Sequence, residues 1–554
     1  MSDRLGVITD GAFNATLTAR LDPGVSSEGL RIGDFVIVEG SDHLFFSTIA
    51  DIQLHSTDAS ILSQPPEGAS SFIARALAGT ATYVAVQVKP MLMIDKPTGQ
   101  FVDTTLKPQP VRTIPMHFAI LRQAGQLDFR DVFGEDHDHF FAMGYPLTMD
   151  IPVCLDLRRL LERSNGVFGQ SGTGKSFLVR LLLCGVIDRG VGVNLIFDMH
   201  DEYAFGKQSE EGVWVKGLKE LFGSRVLVYS LDERAARRAG HRADVILKIG
   251  LNQIEAEDVL LLAEELNLRG TAEATIGLLE DRFGAGWFAS LLEMTPDAIN
   301  AFCEESGAHA ASLASLQRQL KLIGRRPYIT PHAEFAYIDD MVAALDRRKH
   351  VILHFGANST VLDHMLVANI VTRRVRALYQ QKVEKYEETR AAADRPQPLM
   401  ITLEEAHKFL SPAVARQTIF GTIARELRKY YVTLMVVDQR PSGIDAEVLS
   451  QLGTRITGKM TEERDIDAVL TGVANRTVVR GALESLDTRQ QILIMGHAVP
   501  MPVVLRTRRY DEAFYKTLNT RRAEAEDALD SDAEMRATAP RARVQQDIDD
   551  LFGA

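Results

Sequence analysis

The sequence predicts an α/β protein with a small β-barrel at its N-terminus and a helical insertion inside its core. Three observations predict it. A glycine-rich loop sits between an apolar strand and an apolar helix near residue 170. Short alternating segments broken by turn residues fill residues 1–130. Helical periodicity with few strand signals fills residues 251–330, between two stretches of buried-type strands.

The loop is Gly169-Gln170-Ser171-Gly172-Thr173-Gly174-Lys175-Ser176, which fits G-x-x-x-x-G-K-[ST] at every fixed position. Val167 and Phe168 lead in like the end of a buried strand, and Phe177 to Cys184 follow as a run suited to a helix packed on a sheet. Glycines let backbone N–H groups curl around phosphates, and the helix N-terminus adds partial positive charge. Lys175 is expected at the β- and γ-phosphates and the Ser176 hydroxyl on Mg²⁺. The pattern calls for a nucleoside triphosphate, ATP being the expected one.

At 554 residues the chain is too long for one simple core. No apolar run is long enough to span a bilayer, and the N-terminus lacks the basic and apolar regions of a signal peptide. Cys154, Cys184 and Cys303 lie far apart in apolar surroundings and read as reduced core residues of a cytoplasmic protein. The net charge is −12, so contact with nucleic acid requires a local basic surface such as a lined pore.

In chain order, Arg31–Gly40, Phe45–Leu54, Thr82–Val88 and Val111–Leu121 read as barrel strands, giving a rim or collar rather than chemistry. Asp131–Asp150 reads as a polar connector; His137 and His139 there suit a solvated loop better than a metal site, for want of further ligands. Residues 131–250 form the first part of the nucleotide core, with a strand Val193–Asp198 ending in an acid, followed by His200, Asp201, Glu202 and Tyr203. Further strands are expected at Arg225–Ser230 and Val245–Ile249. In the insertion, Leu251–Leu268, Thr271–Phe283, Pro296–Glu305 and Ala311–Ile323 read as helices. Its basic end, Arg318, Lys321, Arg325 and Arg326, fits a solvated face better than a DNA contact. Residues 331–520 resume the core: a strand Val351–Gly356, a long helix Val361–Glu388, a strand Leu399–Leu403 and a strand Val432–Val437. Residues 521–554 read as a helix and disordered tail, whose Leu551-Phe552 end could also dock in an apolar pocket.

An apolar strand ending in two carboxylates is what a nucleotide hydrolase needs beside its phosphate loop. Glu404 suits Mg²⁺ and Glu405 the attacking water, although a structural acid pair has the same pattern. Gln439, closing the next strand, reads as a γ-phosphate sensor or as a capping side chain. Arg425 and Arg428, three apart on one helix, read as an arginine reaching a neighbouring subunit or as surface salt bridges.

The blocks GVFGQSGTGKS, LIFDMHDEYAF, ITLEEAHKFL, IARELRKYYVTLMVVDQRPSGID and VLSQLGTRI together resemble the HerA branch of the HerA/FtsK ATPases. The barrel resembles that family's N-terminal barrel. The resemblance implies a RecA-like P-loop ATPase core, a homo-hexameric ring and ATP-driven translocation or helicase action on double-stranded DNA. It carries over Lys175 and Ser176 as phosphate and Mg²⁺ ligands, Glu404 and Glu405 as the acid pair, Gln439 as sensor and Arg428, or Arg425, as the trans arginine. Asp198, His200 and Glu202 match the family's D-x-H-G-E-Y stretch, with Asp201 in place of its glycine. It also implies a partner: a NurA-like nuclease in DNA-end processing, or a sirtuin-like protein or other nuclease effector in anti-phage defence. A second reading makes the ring chiefly a scaffold for that effector, with ATP as its assembly switch.

Overall fold

The computed structural model describes residues 4–57, 77, 81–96, 107–208, 212–232, 243–268, 270–333, 336–356, 358–415, 419–473, 476–487 and 490–518. The tail expected over 521–554 lies outside them. The chain forms two compact units, residues 1–175 with 371–508, and residues 176–370 with 509–554.

The first unit opens with a closed barrel. Its six antiparallel strands run, around the ring, Leu17–Leu21, Arg4–Gly11, Ile120–Gln123, Phe35–Glu39, His43–Ser56 and Thr82–Asp95, and the last pairs back onto the first. Closure pairs every edge that an open sheet would expose. Leu5, Ile8, Val36, Val38, Phe45, Ile49, Val86, Val88 and Leu121 fill its interior. Phe129 and Phe133, on the helix Gln126–Phe133, pack edge-on against Phe46, with ring centroids 5.4 and 6.0 Å away. Arg122 fastens helix to barrel: its Nε donates to Glu39 at 2.6 Å and its two terminal nitrogens to Asp128 at 2.7 and 2.8 Å.

Two expectations fail here. Val111–Leu121 is a strand only from Ile120, because Pro115 cannot donate to a ladder and Phe118 takes a left-handed φ of 67°. The connector Asp131–Asp150 contains a buried strand, Phe140–Pro146. His137 pairs with Asp138 and His139 lies 3.8 Å from Asp156, and no metal-holding cluster occurs among the described residues.

The same unit holds eight strands in the order Leu399–Glu404, Val432–Asp438, Asn165–Phe168, Thr454–Thr457, Gln491–Gly496, Val503–Thr507, Phe140–Pro146 and Val153–Asp156. The first four are parallel and buried throughout, as the continuous apolar runs require. The rest add antiparallel.

The second unit has four parallel strands in the order Val245–Ile246, Val226–Ser230, His350–His354 and Val193–Asp198. Its helical part is bracketed by the short strands Ile249–Gly250 and Ile329–Thr330, which pair in parallel, so the insertion leaves and rejoins the fold at one point. Ala272–Phe283, Trp287–Glu293, Pro296–Ser306 and Ala310–Gly324 pack around Trp287, Phe288, Leu291, Leu313 and Leu320. The helix expected over Leu251–Leu268 is reduced to Ala256–Leu260 between turns. At the basic end, Lys321 lies 3.3 Å from Gln317 and Arg326 3.1 Å from the buried Asp363. Cys154 and Cys184 are buried thiols; Cys303 is half-buried rather than a core residue. No helix among the described residues is long and apolar enough to cross a membrane.

Candidate functional site

The phosphate loop leaves the central parallel strand of the first unit. Asn165–Phe168 lies between Val432–Asp438 and Thr454–Thr457, and all three point the same way. In register, Phe168 stands beside Asp438 and Thr457, and Glu404 beside Val437. The residues that follow each strand therefore emerge on one edge: the phosphate loop, Glu405 and Gln439. That is the edge where parallel α/β sheets bind ligands.

The loop's conformation depends on its glycines. Gly172 and Gly174 take φ of 79° and 84°, left-handed values costly to most other residues, although a Cβ at either would meet nothing within 4 Å. The turn is closed by the Thr173 hydroxyl, which donates to the Gln170 carbonyl at 2.7 Å. It is anchored to the neighbouring segment where Gly458 N–H donates to the Phe168 carbonyl at 2.8 Å and Gln170 N–H to the Lys459 carbonyl at 3.3 Å. The Gln170 side chain bonds to Thr461. Lys175 opens the helix Lys175–Arg189, which contains the apolar run Phe177 to Cys184.

The two adjacent glutamates differ in backbone conformation. Glu404 ends its strand and is 6% exposed. Glu405 turns the chain in a left-handed conformation, φ 46°, which a glutamate rarely adopts; such strain concentrates at functional sites. Its Oε1 accepts a long hydrogen bond from Gln439 Nε2, at 3.4 Å. His407 Nδ1 lies 3.7 Å from its Oε2.

The capping role considered for Gln439 belongs instead to Asp438. That carboxylate is fully buried, and it accepts the N–H of His407 at 2.7 Å, its Nδ1 at 2.9 Å and the N–H of Arg440 at 2.8 Å. Hydrogen bonding to Asp438 raises the His407 pKa above the usual histidine range, against partial burial. Nothing in the sequence singled out His407 or Asp438 except their places, three residues after the acid pair's first member and one before the sensor.

Arg425 falls in the helix Ile419–Glu426, but Arg428 lies beyond it in the tighter 3₁₀ turn Leu427–Tyr430, so the single helix expected for the two is interrupted.

In the second unit, the stretch after Val193–Asp198 is a loop. Asp201 adopts a left-handed φ of 56°, the conformation that explains a glycine in the resembling sequences and that aspartate tolerates better than most residues. Its carboxylate is 3.4 Å from His354 Nε2. His200 is exposed. Burial works to raise the Glu202 pKa, but hydrogen bonds from Ser176 and Lys207 outweigh it and hold the carboxyl below its ordinary range. The Ser176 hydroxyl, beside a carboxylate at a helix N-terminus that follows a phosphate loop, fits Mg²⁺.

Residues 141–375 match the family model of the helicase HerA central domain. The chain is an ATP-hydrolysing P-loop enzyme, similar to HerA helicases over this segment. It is 23% identical over 398 residues to the DNA double-strand break repair helicase HerA of Pyrococcus furiosus, covering 66% of this chain and 69% of that one. The protein of the same description from Sulfolobus acidocaldarius is 25% identical over 357 residues, covering 63% and 66%. Among solved structures, the bacterial conjugative coupling protein TrwB is similar at a TM-score of 0.45 and 14% identity, over 70% of this chain and 92% of that one.

Proposed function

We propose that this chain is an ATP-driven translocase or helicase on double-stranded DNA, working as a homo-hexamer in the cytoplasm beside a partner nuclease or defence effector. Residues 131–250 and 331–520 form a RecA-like core, 251–330 an insertion in it and 1–130 a collar. The supporting observation is the shared strand edge, which carries a phosphate loop, a strained glutamate and a glutamine bonded to it.

In this reading Lys175 offsets β- and γ-phosphate charge, and Ser176 and Glu404 would hold Mg²⁺, which supplies further charge neutralisation on the phosphates. Glu405 accepts a proton from the attacking water, and Gln439 couples loss of the γ-phosphate to the Glu405 position. Arg428 or Arg425 stabilises the transition state of a neighbouring subunit. The names of the archaeal relatives support DNA as the track.

The experiment is displacement of a triplex-forming strand from linear duplex DNA by full-length protein of measured mass. ATP-dependent displacement by a six-copy species is the expected result. A six-copy ring that hydrolyses ATP without displacing the strand would overturn translocation and leave ATP as an assembly switch for an effector.

A further inference from the structure

The helix that follows the phosphate loop carries an aromatic ring at its surface. Residues 178–187 of that helix are buried, but Phe177, on its first turn, is 37% exposed. Its ring centre lies 6.2 Å from that of Tyr510, with the planes tilted by 48°. Tyr510 in turn packs edge-on against the buried Tyr515 at 5.1 Å. The polar ends of both tyrosines are pinned to one residue. The Tyr510 hydroxyl donates to the Lys216 carbonyl at 3.0 Å, and the Lys216 N–H donates to the Tyr515 hydroxyl at 3.3 Å.

A cation braces the two outer rings. Arg180, three residues beyond Phe177 on the same helix face, is 1% exposed. Its guanidinium carbon is 5.8 Å from the Phe177 ring centre and 5.7 Å from that of Tyr510, within cation–π range of both. Its Nε donates to the Glu202 carbonyl at 2.7 Å and its Nη2 to the same oxygen, while Nη1 has no hydrogen-bond partner among the described residues.

A single exposed phenylalanine is ordinary on a protein surface. This one is held still and stands two residues past Lys175, which is about 3 Å of helix rise. The ring therefore lies within a nucleotide's length of the phosphate-binding residues. Backbone N–H groups and a helix N-terminus hold phosphates whatever base they carry, so the base must be met by something else. A base stacks on any aromatic face held in place. We propose that the exposed ring of Phe177, braced by Tyr510 and Arg180, is the stacking platform for the adenine of bound ATP. Arg180 is a positioning residue, acting through the rings. This inference rests on the nucleotide-binding reading above.

The test is isothermal titration calorimetry of full-length protein with two probes, ATP and inorganic tripolyphosphate, which has the phosphates without the base. Wild type binds ATP the more tightly. Phe177→Ala weakens ATP about tenfold, the scale of one base–aromatic stack, and leaves tripolyphosphate unchanged. Phe177→Trp keeps the preference for ATP, because it restores an aromatic face. Arg180→Lys, which keeps the charge but not the planar fork, loses part of the ATP affinity and none of the tripolyphosphate affinity.

Unchanged ATP affinity in Phe177→Ala would overturn the inference, as would equal affinity of the wild type for both probes. So would an equal loss for both probes in Phe177→Ala, which would make the ring a support for the phosphate loop. Failure of the wild type to bind either probe would instead overturn the nucleotide reading itself.

Discussion

The strand ends Asp438 and Asp198, one in each unit, look alike and do similar work, while the strand end Glu404 does something different. Asp438 and Asp198 are both fully buried, and both spend their oxygens on backbone N–H groups of the segment that follows or lies beside them. Each carries three hydrogen bonds and is withdrawn from solvent. The less buried side chains come later: Glu202, four residues past Asp198, and Gln439, one past Asp438. At Glu404 the pattern shifts, because the next residue takes a left-handed turn and brings Glu405 to the edge at once. An acid at the end of a parallel strand is thus as often the clamp for a working loop as the working group.

The largest break in that comparison comes from the working groups. Lys175→Ala removes the cation beside the phosphates, and hydrolysis should fall by a factor of about 100 or more, measured as phosphate release. Asp198→Ala tests the clamp. It strands three N–H groups, so urea unfolding should show a loss of about 1–3 kcal/mol, with hydrolysis lost only as far as the loop loosens. A stability unchanged within error would mean that the loop is held from elsewhere.

His407→Ala sharpens the comparison on the other side. It removes the link between the Asp438 clamp and Glu405, and kcat should fall about tenfold with nucleotide KM unchanged. The pH dependence has a definite sign. Asp438 holds the folded-state pKa of His407 above its unfolded value of about 6.5, so the stability this pair contributes is complete below about pH 6.5. It is lost as pH rises through the folded value, and melting curves of wild type and His407→Ala should converge on the alkaline side. Smallest is Asp201→Gly: relief of the left-handed backbone offsets the lost contact with His354, and stability should change by less than about 1 kcal/mol.

Much of this was legible in the sequence because strong local signals left few choices. The phosphate loop is fixed by glycines whose φ values no neighbour imposes, and the buried strands Val193–Asp198, Leu399–Glu404 and Val432–Asp438 read directly as apolar runs. What was not legible depends on partners distant in sequence. Asp438 meets His407 across 31 residues, and Arg122 meets Glu39 across 83. Periodicity also misled where turns win locally, as in Leu251–Leu268, and a proline and a left-handed phenylalanine broke the strand expected at Val111–Leu121.

The most direct test of the central claim is steady-state phosphate release by wild type and Glu405→Gln, each with and without linear duplex DNA. The account predicts hydrolysis that rises with DNA in the wild type and disappears in Glu405→Gln, while that variant still binds nucleotide. Hydrolysis that survives the substitution, or that ignores DNA in a well-formed ring, would contradict it.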